Sequence, residues 1–312
     1  MLQTEALSKT FDTTVAVQDL NINVRAGEIY GFLGPNGAGK TTTIRLLLGL
    51  LRPTAGAVFL FGQRNTSDPV SLKRRIGVVA EEPLTMTRMT GWEFVHFFAD
   101  LNAVPHPEAR MRTLFEALDL YTARHALVSA YSRGMRQKLS LLRALVHAPD
   151  LLILDEPVSG LDPYGILQVR QLVEDHRHNG GTVLISSHIL SEIERSADRV
   201  GILHHGRLLV EDTVEGIRQR LGRARVVKLS LQTAPPGLAD ALRRMENVER
   251  VDAQNGEISV HIVGRKDLRA EIFQEVVAQG GILLEMGAEQ MSLEEAFVTI
   301  THQNVAQLAG AA

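Results

Sequence analysis

Apolar residues in the first two thirds of the chain follow two patterns that alternate with each other. Short continuous apolar runs, typical of strands buried on both faces of a sheet, end near residues 33, 79, 154, 187 and 203. Segments with an apolar residue every three or four positions predict helices over 42–48, 92–101, 108–120, 131–147 and 164–178. Residues 4–24 predict a pair of strands around a turn. This alternation predicts an α/β fold built on a largely parallel sheet.

The last third of the chain has a different pattern. It predicts strands at 226–231, 248–253, 257–263 and 281–286, with helices at 238–245 and 267–279. The order βαββαβ matches a split, ferredoxin-like α+β motif. We therefore expect a first domain over 1–222 and a small accessory domain over 223–302, which ends in a short helix that begins at Ser292. Residues 303–312 are predicted to form a flexible tail.

The segment from Gly34 to Thr42 carries the strongest functional signal. Its letters, GPNGAGKTT, fit G-x-x-x-x-G-K-[ST], and a predicted strand precedes them while a predicted helix follows. Glycines let the backbone approach a phosphate closely, and the helix N-terminus favours an anion. We expect Lys40 to reach the β- and γ-phosphates of a nucleotide and Thr41 to ligate Mg²⁺. The rest of the loop would wrap the nucleotide through Asn36, Gly37, Ala38, Gly39 and Thr42.

Two acidic residues and a histidine stand directly after buried strands. Asp155 and Glu156 follow the run 151–154, and His188 follows 182–187. In an open α/β sheet the carboxyl ends of the strands form the ligand crevice. Asp155 is therefore predicted to hold Mg²⁺ and Glu156 to orient and deprotonate a water molecule. A lone histidine is more often structural, but the position of His188 favours a role near the γ-phosphate.

Composition narrows the class of protein further. A chain of 312 residues suits about two domains, and its net charge of −3 argues against a protein that coats nucleic acid. Cysteine is absent from the sequence, which excludes disulfides and thiolate metal sites. No apolar run reaches the ~18 residues that span a bilayer, and the opening residues lack a signal-peptide pattern. We expect a cytoplasmic protein that would serve a membrane process only by docking on another chain.

Taken together, these motifs resemble those of the ATP-binding subunit of an ABC transporter, over residues 4–220. The segment 34–42 looks like the Walker A motif, and 151–156 looks like Walker B followed by the catalytic glutamate. Asp162 closes a segment similar to the D-loop, and His188 is similar to the switch histidine. Phe11 stands at the adenine-stacking position, although its spacing alone supports a packing role equally well.

Other matches depart from the family pattern. The family signature Leu-Ser-Gly-Gly-Gln is represented by Tyr131 followed by Ser132, Arg133, Gly134 and Met135, and these four residues would bind nucleotide. Glu81 replaces the glutamine of the Q-loop and would lie near Mg²⁺. Both departures, and the added C-terminal domain, resemble the branch that exports drugs and polysaccharides with an ABC-2 type permease.

The resemblance implies a fold and a mechanism. The fold is a P-loop NTPase of the ABC type, with a mixed sheet core, an antiparallel β subdomain and a helical signature subdomain. Two copies would form a head-to-tail homodimer in which ATP at 37–42 of one copy is covered by 132–135 of the other. Hydrolysis would separate them and drive export through the permease, which would dock near Glu81–Trp92 and hold the chain at the inner face of the membrane.

Three alternatives to a transporter follow from the same residues. A soluble ABC-type ATPase that acts on ribosomes or DNA is disfavoured, because Lys40 and Ser132 are only 92 positions apart and leave no room for a long coiled coil. A P-loop kinase or GTPase would not need the signature segment, and the N-K-x-D motif that reads guanine is missing. A module that binds ATP without hydrolysis would not need Glu156 and His188.

Overall fold

The structure is a computed structural model that describes residues 1–65, 70–82, 86–221, 224–254, 257–263 and 266–289. The chain divides into two compact units, Met1–Glu211 and Asp212–Ala312. The domain boundary at residue 222 and the tail at 303–312 stay predictions.

The secondary-structure elements of the described residues are numbered in chain order. The strands are β1 (Leu2–Phe11), β2 (Thr14–Leu20), β3 (Asn23–Val24), β4 (Ile29–Leu33), β5 (Ala55–Leu60), β6 (Gln63–Arg64), β7 (Ile76–Val79), β8 (Leu151–Asp155), β9 (Thr182–Ser187), β10 (Arg199–His204), β11 (Arg207–Thr213), β12 (Ala224–Thr233), β13 (Val248–Gln254), β14 (Glu257–Val263) and β15 (Ile282–Glu289). The helices are α1 (Lys40–Leu47), α2 (Val70–Lys73), α3 (Gly91–Leu101), α4 (Glu108–Ala117), α5 (Arg133–Leu145), α6 (Pro163–His178), α7 (Leu190–Ser196), α8 (Val214–Leu221), α9 (Leu238–Arg243) and α10 (Arg269–Ala278).

The central sheet of the first unit has the strand order β11-β10-β4-β9-β8-β7. From β10 to β7 every neighbouring pair is parallel. All residues of β4, β8 and β9 are buried, as their continuous apolar runs predict. The parallel arrangement brings the carboxyl ends of these strands to one edge of the sheet.

A second, antiparallel sheet lies in the same unit. Its order is β2-β1-β5-β6, with β3 also paired to β1. Its apolar side chains share a core with the central sheet, in which Leu2, Leu20, Tyr30 and Phe32 are fully buried. Burial of one such side chain contributes roughly 1.5–3 kcal/mol. The loop that begins at Gly34 therefore follows a strand that is anchored in this core, and Ala38 within the loop belongs to the same core.

Helices α3, α4 and α5 follow β7 and precede β8 in the sequence, and they pack against one another. Thr90 caps α3 through a reciprocal pair of hydrogen bonds with Glu93, and Ser132 caps α5 by accepting a hydrogen bond from the Met135 N–H. The Trp92 ring lies 5.5 Å from that of Phe115, so Trp92 packs against its own chain. These observations confirm the helices predicted over 92–101, 108–120 and 131–147, and α5 begins directly after its cap, Ser132.

After α8, the second unit has the element order β12-α9-β13-β14-α10-β15 and an antiparallel sheet in the order β13-β14-β12-β15. Its core is separate and contains Leu229, Leu242, Val260, Ile272 and Val276. The short helix predicted from Ser292 lies outside the described residues.

Sequence patterns missed the short elements. Helices α2, α7 and α8 were not predicted, because a helix of four to eight residues shows too few turns for its periodicity to be recognised. Strand β5 (Ala55–Leu60) includes Gly56, which a sequence pattern would assign to a turn. No helix among the described residues is long and apolar enough to cross a membrane.

Candidate functional site

The predicted functional residues meet at the carboxyl edge of the central sheet. In the parallel ladder Leu33 pairs with Ser187, and Asp155 pairs with Ser186. The glycine-rich loop, Glu156 and His188 each begin where one of these strands ends. Segments more than 100 positions apart in sequence thus converge on one crevice, as the prediction from strand ends requires.

Glycine is required in the loop at Gly34 and Gly39. A Cβ at Gly34 would lie 2.5 Å from the Leu203 carbonyl oxygen, and one at Gly39 would lie 2.5 Å from the Ala16 carbonyl oxygen. Gly39 also has a φ of +104°, which L-residues with a side chain rarely adopt. The loop is therefore held closely between β10 and β2, and its backbone faces the cavity described below.

Lys40 is a buried cation at the start of α1. Its Nζ donates hydrogen bonds to the carbonyl oxygens of Gly34 at 2.7 Å and Pro35 at 3.4 Å. The same atom lies 3.5 Å from Oε1 of Glu156, and both side chains are more than nine-tenths buried. These carbonyl and carboxylate partners offset the cost of burying an ammonium group and hold it beside the glycine-rich loop.

Glu156 is held by charged and polar groups on several sides. Its Oε2 lies 2.7 Å from His188 Nδ1, while Oε1 faces Lys40. The backbone of Glu156 has a φ of +49°, in the left-handed region that a residue with a side chain occupies at a cost of about 1–3 kcal/mol. Such strain is found where the surrounding structure fixes a functional group, and here it directs the carboxylate toward the loop.

Ser186 connects the two acidic residues and was not predicted from the sequence. Its Oγ donates to Asp155 Oδ1 at 2.5 Å and accepts a hydrogen bond from the Glu156 N–H at 3.2 Å. The Ser186 carbonyl oxygen also accepts from the Glu156 N–H at 3.2 Å. Ser186 is fully buried. Its sequence signal was a hydroxyl residue at the end of an otherwise apolar strand.

A cavity of about 320 Å³ lies between the loop and these residues. It is lined by Thr14, Val15, Ala16, Pro35, Asn36, Gly37, Gly39, Lys40, Thr41, Thr42, Glu81 and Glu156. The loop residues, the catalytic candidate and Glu81 are therefore brought together. A larger groove of about 550 Å³ lies elsewhere on the unit, but none of these residues lines it.

Phe11 and the signature residues do not line this cavity. Phe11 lies at the end of β1, is 42% exposed and has Lys9 Nζ 4.9 Å from its ring centroid. Val15 and Ala16 line the cavity instead. Asp155 is 2% exposed and, unlike Glu156, does not line the cavity.

The signature residues form the first turn of α5. Arg133 is the first residue of that helix and is absent from the described non-glycine residues with positive φ, so this position does not demand glycine. Arg133 Nη2 donates to Ser159 Oγ at 3.4 Å. Asp162 caps α6 by accepting a hydrogen bond from the Gly165 N–H at 2.9 Å.

Tyr131, which stands directly before the signature turn, donates a hydrogen bond from its hydroxyl to the Ala123 carbonyl oxygen. Burial raises the pKa of its phenol, so it remains a neutral donor.

Gln137 is a second residue that sequence analysis did not single out. It is 1% exposed, and its Nε2 donates to the carbonyl oxygens of Glu156 at 3.4 Å and Pro157 at 3.1 Å. A glutamine four positions before Leu141, on the buried face of an amphipathic helix, is the signal that could have found it. It joins the signature helix to the peptide that follows the catalytic candidate.

The oxygen donors of the site fit a Mg²⁺–nucleotide complex. Thr41 offers a hydroxyl, and Asp155 and Glu81 offer carboxylates, which are the hard ligands that Mg²⁺ prefers. Among the described residues, no group of three or more histidine, aspartate or glutamate side chains is arranged to hold a metal ion. A metal here would therefore take the remainder of its ligands from water and from phosphate oxygens.

Comparison with known proteins identifies relatives among the ATP-binding subunits of ABC transporters. Residues 17–159 match the sequence profile of the ABC transporter family. The chain is 38% identical over 302 residues to the bacitracin transport ATP-binding protein BcrA of Bacillus licheniformis, covering 96% of this chain and 97% of that protein. It is 38% identical over 262 residues to the daunorubicin/doxorubicin resistance ATP-binding protein DrrA of Streptomyces peucetius, covering 83% of this chain and 77% of that protein. A solved structure of an ATP-binding subunit of an ABC transporter superposes with a TM-score of 0.68 at 31% identity, over 71% of this chain and 93% of that one.

Replacement of Lys40 by alanine should abolish tight ATP binding. The change removes a charged hydrogen-bond donor worth about 1.5–3 kcal/mol, which corresponds to roughly a tenfold or greater rise in Kd. Kd is measured by titration with a fluorescent ATP analogue, with Lys73→Ala, an exposed lysine outside the cavity, as the control. An unchanged Kd for Lys40→Ala would remove Lys40 from the binding site.

Replacement of Ser186 by alanine should slow hydrolysis and raise the Mg²⁺ concentration needed for it. Asp155 loses the hydroxyl that orients it, and loss of such an outer partner costs about 10- to 100-fold in metal affinity or activity. The measurement is the ATPase rate as a function of Mg²⁺ at saturating ATP. Ser140→Ala is the matched control, because it removes a buried hydroxyl that bonds to the Arg136 carbonyl of α5. Equal Mg²⁺ dependence of both variants would contradict the role of Ser186.

Proposed function

The chain belongs to the ABC transporter family as an ATP-binding subunit that hydrolyses ATP to power transport, and we propose that it drives the export of antibiotic- or drug-like compounds through a separate membrane permease. The observation that carries the catalytic part is the Glu156 carboxylate, held between Lys40 and His188 at the mouth of a glycine-rich loop. The direction and the class of substrate rest on relatives named for bacitracin transport and for daunorubicin/doxorubicin resistance. Membership of a transporter family decides against the soluble alternative that acts on ribosomes or DNA.

The loop would bind the triphosphate of ATP. Backbone N–H groups of 36–42 and the N-terminus of α1 would face the phosphates, and Lys40 would exchange carbonyl partners for phosphate oxygens. Thr41 and Asp155 would hold Mg²⁺, which neutralises charge on the phosphates, and Glu81 would face the same region. Phe11, exposed at the end of β1, would offer its ring to the adenine; base–aromatic stacks of this kind contribute about 1–3 kcal/mol.

Glu156 and His188 would carry the hydrolytic step. The Glu156 carboxylate orients the attacking water and accepts its proton, while the His188 imidazole keeps the carboxylate in place and lies near the γ-phosphate. Lys40 stabilises negative charge on the transferred group. Phosphoryl transfer needs mainly such positioning and charge neutralisation.

A second copy of the chain would complete the site. Ser132, Arg133, Gly134 and Met135 do not line the cavity of their own chain, although α5 presents a capped N-terminus. A helix N-terminus favours an anion, so the signature turn of a partner copy would cover the γ-phosphate, with Asp162 nearby at the interface. A chain that contributes one half of each composite site forms a homodimer with two equal sites.

The permease would dock near Glu81–Trp92. The described part of this segment is hydrogen-bonded to the residues that lead into α5: Trp92 N–H donates to the Arg124 carbonyl, and Val128 N–H donates to the Met89 carbonyl. Glu81 itself lines the cavity. A partner bound here would therefore be connected to both the nucleotide and the signature turn. The family resemblance suggests that this partner is an ABC-2 type permease, which would hold the chain at the cytoplasmic face of the membrane.

The second unit would be a ferredoxin-like accessory domain. Its element order and its sheet order β13-β14-β12-β15 are those of a split βαββαβ fold. We place the boundary between the ATP-binding domain and this domain at residue 222.

Replacement of Glu156 by glutamine should leave ATP binding intact, stall hydrolysis and stabilise a dimer. Glutamine keeps the shape of the side chain but loses the base, whose contribution is about 10²- to 10⁴-fold. ATPase assays and sedimentation in MgATP measure the two effects. Glu116→Gln, an exposed member of an ion pair with Arg112, is the control. Turnover near that of the wild type, or a monomer at saturating MgATP with the permease supplied, would refute the proposed mechanism.

Capture of the permease tests the transport function. Tagged full-length chain, incubated with detergent extracts of membranes from cells that express it, should retain an integral membrane protein of the ABC-2 type. Arg88→Glu, at an exposed residue of the docking segment, should weaken this capture, whereas Arg112→Glu on α4 should not. Equal capture by both variants would move the docking site elsewhere, and retention of ribosomal proteins or DNA instead of a permease would contradict transport.

A further inference from the structure

The first turns of α5 are attached to the chain segment that follows the catalytic candidate. Arg133 Nη2 donates to Ser159 Oγ, and a Cβ on Gly134 would lie 3.2 Å from the Gly160 carbonyl oxygen. Deeper in the molecule, Gln137 Nε2 reaches the carbonyl oxygens of Glu156 and Pro157. The signature turn and the segment 156–160 therefore form one connected body within a single chain.

Gln137 differs from the other contacts because it is buried and acts on the peptide of Glu156 itself. The hydrogen bond from Arg133 to Ser159 is 3.4 Å long, as is that from Gln137 to the Glu156 carbonyl oxygen, but Arg133 is exposed, so water competes for its bond. Gln137 is 1% exposed, and the two carbonyl oxygens that it contacts lie in the same buried region. At the surface, water can replace a lost hydrogen-bond donor. In a buried region it cannot do so readily, so loss of the Gln137 amide would leave the two carbonyl oxygens without a partner.

The peptide held by Gln137 is the strained one. Glu156 adopts a φ of +49°, and this geometry persists only where neighbouring groups determine it. On the amino side the Glu156 N–H donates to Ser186, through both its carbonyl oxygen and its Oγ. On the carboxyl side the Glu156 carbonyl accepts from Gln137. The glutamate is thus held from the central sheet at one end and from the signature helix at the other.

We propose that Gln137 is a positioning residue through which the signature helix α5 controls the orientation of the catalytic Glu156 of the same chain. The inference rests on the proposed function, in which Glu156 is the base and α5 covers the nucleotide of the partner copy. A shift of α5 on contact with the partner's nucleotide moves the Gln137 amide and, with it, the peptide of Glu156. Occupation of one composite site thereby adjusts the base of the other, which provides a physical route for cooperativity between the two sites.

The first test replaces Gln137 by methionine, which has a similar length and no donor. The kcat for ATP should fall about tenfold or more, a part of the roughly 10²- to 10⁴-fold that a positioned base contributes, while KM changes by less than about twofold because the loop is untouched. The Hill coefficient for ATP should fall toward one. Gln168→Met is the matched control, since this glutamine of α6 also bonds to α5, through Lys138 at 2.7 Å, but does not contact the Glu156 peptide.

The second test separates positioning from general damage to the fold. In a Glu156→Gln background the base is already missing, so Gln137→Met should lower the residual rate by less than about twofold. Damage unrelated to Glu156 would lower the rate by the same factor in both backgrounds. If Gln137→Met does not fold, Gln137→Asn serves instead, because it keeps the amide but withdraws it by one methylene from the carbonyl oxygens.

The outcomes are distinct. An unchanged kcat for Gln137→Met, or equal losses in both backgrounds, would overturn the role of Gln137 and leave the proposed function intact. Rapid turnover by Glu156→Gln alone would instead refute the proposed base, and the inference with it. A selective loss of kcat and cooperativity that disappears in the Glu156→Gln background would support the coupling.

Discussion

The structure of the site depends on the parallel alignment of three buried strands. Because β4, β9 and β8 are neighbours and run in the same direction, their carboxyl ends meet at one edge of the sheet. Each strand end then contributes one part: the glycine-rich loop, His188, and the pair Asp155–Glu156. The apolar residues within these strands are buried, so the register that aligns the polar residues is fixed by the core rather than by contacts among the polar residues themselves.

Opposite charges at this edge are balanced in a way that suits an anionic substrate. The Lys40 ammonium is buried beside Glu156 and is also solvated by loop carbonyls. A triphosphate brings more negative charge than one carboxylate, so it would compete effectively for Lys40 and would leave Glu156 to His188 and water. In the proposed mechanism, the same contacts keep the buried charges paired before ATP binds and release Glu156 once it is bound.

Hydrogen bonds connect three parts of the first unit. These are the cavity beside the glycine-rich loop, the segment proposed to dock the permease, and the signature turn. Backbone hydrogen bonds join 89–92 to 124–128, which lead directly into α5, and α5 is joined to the Glu156 peptide by Gln137. Each connection uses buried or backbone groups, which transmit displacement better than exposed ion pairs do. A transporter subunit needs such connections, because hydrolysis of the bond to the γ-phosphate has to be coupled to movement of the membrane partner.

The sequence by itself determined the strand–helix alternation, the phosphate loop and the polar residues at strand ends, because period and turn chemistry are local properties. It also indicated a helix that begins near Ser132, since an N-cap depends on the residue itself and its near neighbours. The strand order, the left-handed backbone of Glu156, and the roles of Ser186 and Gln137 were decided only by the tertiary structure. These features depend on which distant segments become neighbours, as when Gln137 meets a carbonyl 19 to 20 positions away, and a periodic pattern contains no information about that choice.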